Sequence, residues 1–302
     1  VLPIPDAVRT RAINQGAEAW LAGLDDVLAG LCAGWDVRPG SVMGGGTAAL
    51  VVAVTCSDGT PAVIKIAPPY VGFHDQNRLL AAADGRGYVR LLRSAPDVRA
   101  MLLEGLGPRL ETIGDPGFRL DVLWRLLPVA WQVPVDDHRD QTWDKAEELA
   151  RMIEELWPAL GGPCSRRVIE RALDCAERRA GAARRVVVHG DPHPGNALRL
   201  RTNRPGAVAG YVFTDPDGFL CDPAYDVGVT LRDWSAELLA ADDPREWLRV
   251  RCVAAARETG QDPRSIEDWA YLERVSSGLF VCRVADPEQG SRFLQSAELL
   301  AG

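Results

Sequence analysis

The chain has 302 residues, 47% of them hydrophobic and 25% charged, with a net charge of -8. This is ordinary globular composition, enough for one large domain or two smaller ones, and its acidic balance argues against nonspecific nucleic-acid binding and favours a cationic or neutral ligand. Seven scattered cysteines without a C-x-x-C pair argue against metal fingers and disulfide frameworks and for a reducing, cytoplasmic compartment; no run of about 18 apolar residues is there to span a membrane, and no leader pattern is expected.

Apolar residues at helical spacing between 7 and 31, among them Trp20, Leu24, Leu28 and Leu31, predict a helix stopped by Gly34. Residues 37–43, 50–56 and 61–66 read as strands. The first two are separated by Gly44-Gly45-Gly46-Thr47-Ala48-Ala49, the next two by a tight Ser57-Asp58-Gly59-Thr60 turn. A helix over 72–83 and strands at 88–92 and 98–103 complete a β-rich N-terminal lobe, 1–104. Glycines and a proline at 105–108 open the remainder, 105–302, where amphipathic helices are expected at 120–130, 142–156 and 166–179. A small β region follows at 186–188, 197–199 and 208–214. The rest, 225–300, reads as helical, with breaks near Pro244, Gly260 and Pro287. The expected fold class is therefore α+β, a β-rich N-lobe and a mainly helical C-lobe.

The most informative segment is Val186-Val187-Val188-His189-Gly190-Asp191-Pro192-His193-Pro194-Gly195-Asn196. A β-branched run ends in a loop holding a carboxylate, then an amide five residues on. A second apolar run ends in Asp215-Pro216-Asp217-Gly218. Phosphoryl transfer needs this set, because its loose transition state is served mainly by positioning and charge neutralisation. Asp191 can orient an acceptor hydroxyl and take its proton. Asn196 and Asp215 offer the hard oxygen ligands that magnesium prefers alongside water and phosphate.

Other candidates are weaker singly. Lys65 lies within an apolar strand, as a contact for nucleotide phosphates or as a solvent-facing lysine. Gly44, Gly45 and Gly46 let backbone amides approach phosphates, or simply form a hairpin turn; they match neither G-x-G-x-x-G nor a P-loop. Met101, Glu104 and Leu106 fall where a connection between lobes would meet an adenine through backbone groups, although Glu104 is equally a solvated charge. His189 and His193 read as loop supports. Trp124, Trp131, Trp143 and Trp157 read as core or groove wall. Asp217, Asp233 and Trp234 are candidates for the acceptor pocket, with surface charge and core as the alternatives.

These residues resemble the aminoglycoside phosphotransferase family, a branch of the protein-kinase-like fold. The match rests on the segment 189–196, on Asp215-Pro216-Asp217-Gly218, and on Cys221-Asp222-Pro223-Ala224-Tyr225-Asp226-Val227-Gly228. Gly85-Arg86-Gly87-Tyr88-Val89-Arg90-Leu91-Leu92 and the layout of the last helices look most like the streptomycin 6-phosphotransferase and hydroxyurea kinase subgroup. The resemblance implies a bilobal protein-kinase-like fold and ATP-dependent O-phosphorylation of a small hydroxylated acceptor. By position it makes Asp191 the catalytic base, Asn196 and Asp215 the ligands of Mg2+, Lys65 a phosphate contact, and Asp226 the brace of the catalytic loop. Two departures stand out. Gln76, with Asp75 beside it, occupies the place of the helix glutamate that pairs with the strand lysine. The basic loop 201–206 is longer than the family pattern.

The leading reading is a kinase of a cationic hydroxylated compound such as an aminoglycoside, with no nucleic-acid or membrane partner. A housekeeping kinase of an amino sugar or similar metabolite is the alternative within the enzyme class. A nucleotide-binding regulator with weak catalysis is the alternative outside it, motivated by Gln76. A protein kinase is disfavoured, since neither Asp-Phe-Gly nor Ala-Pro-Glu occurs.

Overall fold

The computed structural model describes residues 2–44, 48–134, 141–284 and 286–302. They form two compact units, Val1–Arg109 with Leu198–Thr214, and Leu110–Ala197 with Asp215–Gly302.

The first unit opens with helices α1 (Asp6–Asn14) and α2 (Glu18–Trp35). The single helix expected over 7–31 is thus two, because Gly16 between them takes a left-handed backbone at φ 67°. Five antiparallel strands follow: β1 (Val37–Val42), β2 (Leu50–Cys56), β3 (Pro61–Ile66), β4 (Leu91–Ala95) and β5 (Ala100–Glu104), in the order β1-β2-β3-β5-β4. Period-two alternation in β2 turns Leu50, Val52 and Val54 to one face, where Leu24, Leu28 and Leu31 of α2 meet them with Ile64 and Ile66 of β3. Burying each such side chain contributes roughly 1.5–3 kcal/mol. Helix α3 (Phe73–Ala83) sits in sequence between β3 and β4.

The strand expected at 88–92 begins later, at Leu91. Tyr88 and Val89 are drawn elsewhere: Val89 N donates to Phe213 O at 2.8 Å, and Phe213 N donates to Gly87 O at 2.9 Å. Phe213 belongs to a small hairpin of β7 (Ala197–Arg199) and β8 (Tyr211–Phe213). Its strand is shorter than the expected 208–214, because Ala209 and Gly210 both take left-handed φ, 50° and 79°. The basic loop in this hairpin has a structural task. Arg204 donates to Gly85 O, to Tyr88 O and to the Glu104 carboxylate.

The second unit is mainly helical: α4 (Pro116–Ala130), α5 (Lys145–Ala159), α6 (Arg166–Arg179), α7 (Ala224–Thr230), α8 (Ser235–Ala240), α9 (Pro244–Thr259), α10 (Pro263–Val284) and α11 (Pro287–Ala301). Aspartates cap several of them: Asp115, Asp144, Asp243 and Asp286 each accept backbone N–H groups of the first turn. Helix α10 is the spine, packed against α5, α6, α7, α9 and α11. Gly228 lets α7 approach it closely, since a Cβ there would stand 2.6 Å from Trp269 Cβ. Strand β6 (Val186–Val188) pairs antiparallel with β9 (Phe219–Cys221), a strand absent from the sequence reading, with Val188 opposite Phe219. The expected α+β architecture, a β-rich lobe and a mainly helical one, is the one observed.

Candidate functional site

The loop after β6 is held from behind by one carboxylate. Asp226, on α7 and fully buried, accepts from His189 N at 2.8 Å, Gly190 N at 2.9 Å and Trp131 Nε1 at 2.8 Å. Burial pushes this carboxyl up to about 6, against the opposing pull of those three donors. Gly190 needs its lack of a side chain: φ is 95°, and a Cβ would lie 2.6 Å from Asp217 Cβ.

Both loop histidines act as expected of supports. Asp191 N donates to His189 Nδ1 at 3.1 Å, and Gly195 N donates to His193 Nδ1 at 3.1 Å. In the neutral rings these bonds place the proton on Nε2. Asn196 Nδ2 donates to Asp191 O at 3.0 Å, which ties the amide to the aspartate five residues back.

Asp191 carries the site's charge pattern. Arg232 Nη2 donates to its Oδ1 at 2.9 Å, and His193 Nε2 lies 3.6 Å from Oδ2. Burial alone would raise this carboxyl, but the Arg232 guanidinium, then His193, hold it below the usual aspartate value. Arg232 also reaches Asp233 Oδ1 at 2.9 Å and Glu273 Oε2 at 3.6 Å. Tyr225 Oη donates to Glu273 Oε1 at 2.8 Å. Asp217 opens onto the same space while recessed among protein atoms. Burial, then the charge of Asp191, push its carboxyl up to about 7, with Lys145 pulling the other way.

Asp191, Asp217, Asp233 and Glu273 line one cavity of about 480 Å³ within the helical unit, together with Lys145 and Arg232. Four carboxylates face two cations there, so the walls favour a positively charged guest.

The other sequence candidates fall as follows. Asp215 takes a left-handed backbone, φ 54°, between β8 and β9, a conformation uncommon outside glycine and concentrated at functional sites. Trp234 does not line the cavity; it is 7% exposed, packs at 6.3 Å on Trp247, and donates Nε1 to Thr230 O at 2.9 Å. In the first unit Lys65 is 7% exposed, and its Nζ donates to Gln76 Oε1 at 2.7 Å, so the solvent-facing alternative is excluded. Met101 stands opposite Lys65 in the sheet and is fully buried. The Glu104 carboxylate is engaged by Arg204 and by Arg90 N, so it is not a solvated charge. Leu106 is half-buried and Gly44 exposed; Gly45 and Gly46 lie outside the described residues.

Arg232, Glu273, Lys145 and Tyr225 were not singled out from sequence. Arg232 adjoins Asp233, and Tyr225 lies within the segment 221–228. Glu273 and Lys145 carried no signal, being charged residues in amphipathic helices.

No three His, Cys, Asp or Glu side chains among the described residues form a metal cage. An amide and a carboxylate, Asn196 and Asp215, nonetheless suit magnesium, which takes few protein ligands beside phosphate and water. No two of the seven cysteines form a disulfide, and among the described residues no helix is long and apolar enough to cross a membrane.

Residues 34–113 match the family described as aminoglycoside/hydroxyurea antibiotic resistance kinase. Over 289 residues the chain is 26% identical to a streptomycin 6-kinase of Streptomyces glaucescens, covering 95% of this chain and 91% of that one. A streptomycin 6-kinase of Streptomyces griseus is 27% identical over 282 residues, with 92% and 90% covered. Among solved structures, a choline kinase from Streptococcus pneumoniae superimposes with a TM-score of 0.62 at 12% identity, covering 92% of this chain and 99% of that one. An aminoglycoside phosphotransferase from Streptomyces rimosus, solved with ADP and streptomycin, gives 0.51 at 17% identity, covering 83% and 97%. The fold is protein-kinase-like, and the resemblance to the aminoglycoside phosphotransferase family holds along most of the chain.

Proposed function

We infer that this small-molecule kinase transfers the terminal phosphoryl group of ATP to a hydroxyl of a small cationic compound, a streptomycin-like aminoglycoside being the first to test. One observation carries the reading. The Asp191 carboxylate is fixed by a braced loop, kept ionised by Arg232, and exposed to a cavity whose walls carry a surplus of negative charge. An acceptor hydroxyl within hydrogen-bond reach of Asp191 would surrender its proton there as the oxygen attacks. The excess of carboxylates would hold the acceptor's ammonium or guanidinium groups and so orient that hydroxyl.

Nucleotide binding is assigned to the N-terminal lobe, 1–104, and metal and acceptor binding to 105–302. Lys65, steadied by Gln76, would contact the nucleotide phosphates, and the backbone around Gly44–Gly46, Met101, Glu104 and Leu106 would receive the rest of the nucleotide. Asn196 and Asp215 would hold Mg2+, which supplies charge neutralisation on the phosphates when bound. Asp217 and Asp233 are assigned to the acceptor; the burial of Trp234 leaves it a supporting place behind them. A reducing, cytoplasmic setting is consistent with seven cysteines and no disulfide.

The test is ATP turnover with streptomycin, other aminoglycosides and simple amino polyols. Asp191→Ala should lower phosphoryl transfer by about 100- to 10,000-fold; undiminished turnover would remove the mechanism. Transfer to a simple amino sugar but not to any aminoglycoside would favour the metabolic alternative. Nucleotide binding without transfer to any acceptor would favour the regulator.

A further inference from the structure

The cavity has two chemically distinct ends, and the proposed reaction uses only one. Helix α10 presents Glu273, Ser276, Ser277, Phe280 and Val281 to it, a stripe at helical spacing. With a rise of about 1.5 Å per residue, Glu273 and Val281 stand roughly 12 Å apart along the helix. The Glu273 end holds the carboxylates and Arg232. The far end is mainly apolar: Phe293 of α11, packed at Gly278, joins Phe280 and Val281 there with Gln289 as its polar member, and Leu149 and Met152 of α5 add apolar wall to the same cavity. Leu149 and Phe293 are buried, as core residues would be, but Phe280 is 46% exposed and Val284, one turn further along α10, is 58% exposed. Phe280 is thus a large apolar side chain left half open on the wall of a charged cavity, where an apolar ligand segment would remove it from water.

We propose that the acceptor is amphiphilic: a hydroxylated amine whose charged head lies by Glu273 and Asp191 while an alkyl or ring segment extends along α10 to Phe280 and Val281. The proposal rests on the acceptor reading of this cavity and narrows its substrate class. A purely polar, multiply charged acceptor would fill the carboxylate end and leave the apolar end wet. An acceptor with an apolar segment would remove water from both, at about fourfold in affinity per fully buried methylene.

The probes are N-methylglucamine and N-octylglucamine, each a cationic amine on a polyol, the latter kept below its micelle threshold. Calorimetry reads binding to the intact chain, and ATP-dependent transfer is followed in parallel. The octyl compound should bind at least tenfold more tightly than the methyl compound. Phe280→Ser and Val281→Ser should each pull that ratio toward one, whereas Leu239→Ser, at an exposed leucine on α8 outside the cavity, should leave it unchanged. A ratio near one in the unaltered chain, undetectable binding of the octyl compound, or a ratio that survives Phe280→Ser together with Val281→Ser overturns the proposal. Transfer to streptomycin alongside a flat ratio removes the amphiphilic acceptor and keeps the kinase reading. A tenfold ratio without transfer to any acceptor does the reverse.

Discussion

Arg232 donates to Asp191 at 2.9 Å across 41 residues of sequence, so the carboxylate proposed to take the hydroxyl proton is ion-paired within its own lobe. Its carboxyl is thereby held below the ordinary aspartate value, despite burial that works the other way. Removing the guanidinium should raise that pKa, so the ionised form would be lost at a higher pH. Arg232→Met is expected to move the acid limb of kcat/KM upward and to lower the plateau by about tenfold or more. Arg232→Lys should recover part of the shift, though not the paired contacts to Asp233 and Glu273. An acid limb that stays in place in Arg232→Met would refute the link.

Asp217 makes a second pH-dependent term of opposite sense. Its carboxyl is pushed up to about 7 from an unfolded value of 3.8. A raised carboxyl pKa favours the neutral form in the folded chain, so this group's contribution to stability is present below about pH 4 and is lost as pH rises through 7. Asp217→Asn should therefore remove a decline in melting temperature between those values. Binding runs the other way, because ionising Asp217 adds negative charge to the cavity. The KM of a cationic acceptor should fall as pH rises through 7, and Asp217→Asn should flatten that fall.

Asp226 satisfies three buried donors at once, two of them backbone amides of the loop that carries Asp191. Leaving buried donors without an acceptor costs about 1–3 kcal/mol each. Asp226→Ala should destabilise the chain by several kcal/mol in urea unfolding, whereas Trp131→Phe, which removes a single donor, should cost on the order of 1 kcal/mol. Equal losses for the two variants would show that the loop is held by something else.

In the first unit, the Lys65–Gln76 pair invites repair of its departure from the family pattern. A carboxylate adds an opposite full charge to the contact with an ammonium, which a neutral amide lacks, and so holds it more firmly. Gln76→Glu should lower the KM for ATP severalfold, and Lys65→Met should raise it at least tenfold while reducing kcat. Steady-state kinetics with ATP as the varied substrate reads both, and an unchanged KM in Lys65→Met would remove this lysine from the nucleotide site.

What was legible beforehand was local. Strand β6, Asp191 and Asn196 are one continuous segment, so their order and spacing are read directly from the sequence, and Lys65 stands out there as a cation inside an apolar strand. Glu273 and Arg232 were not legible, because Arg232, just past α7, meets Asp191 only across 41 residues of chain, and Glu273 meets Arg232 only through the packing of α10 on α7. Tyr88 illustrates the same limit. Its neighbours are good strand formers, yet its partner is Phe213, far along the chain, and tertiary pairing overrode local preference. Trp234 stays open between pocket wall and core in the sequence, because an aromatic beside a polar pair looks the same there whether it faces ligand or core; its burial and its bond to Thr230 O put it among the core.

The membership of Leu198–Thr214 in the first unit bears on how this protein could be dissected or evolve. A fragment ending near residue 109 would lose Arg204 and the backbone partners of Gly87 and Val89, leaving bare polar groups where a hairpin had been. Complementary halves expressed apart should therefore fail individually and recover only as a pair. Recombination that exchanges the first unit between such enzymes would have to carry a distant stretch of chain along with it.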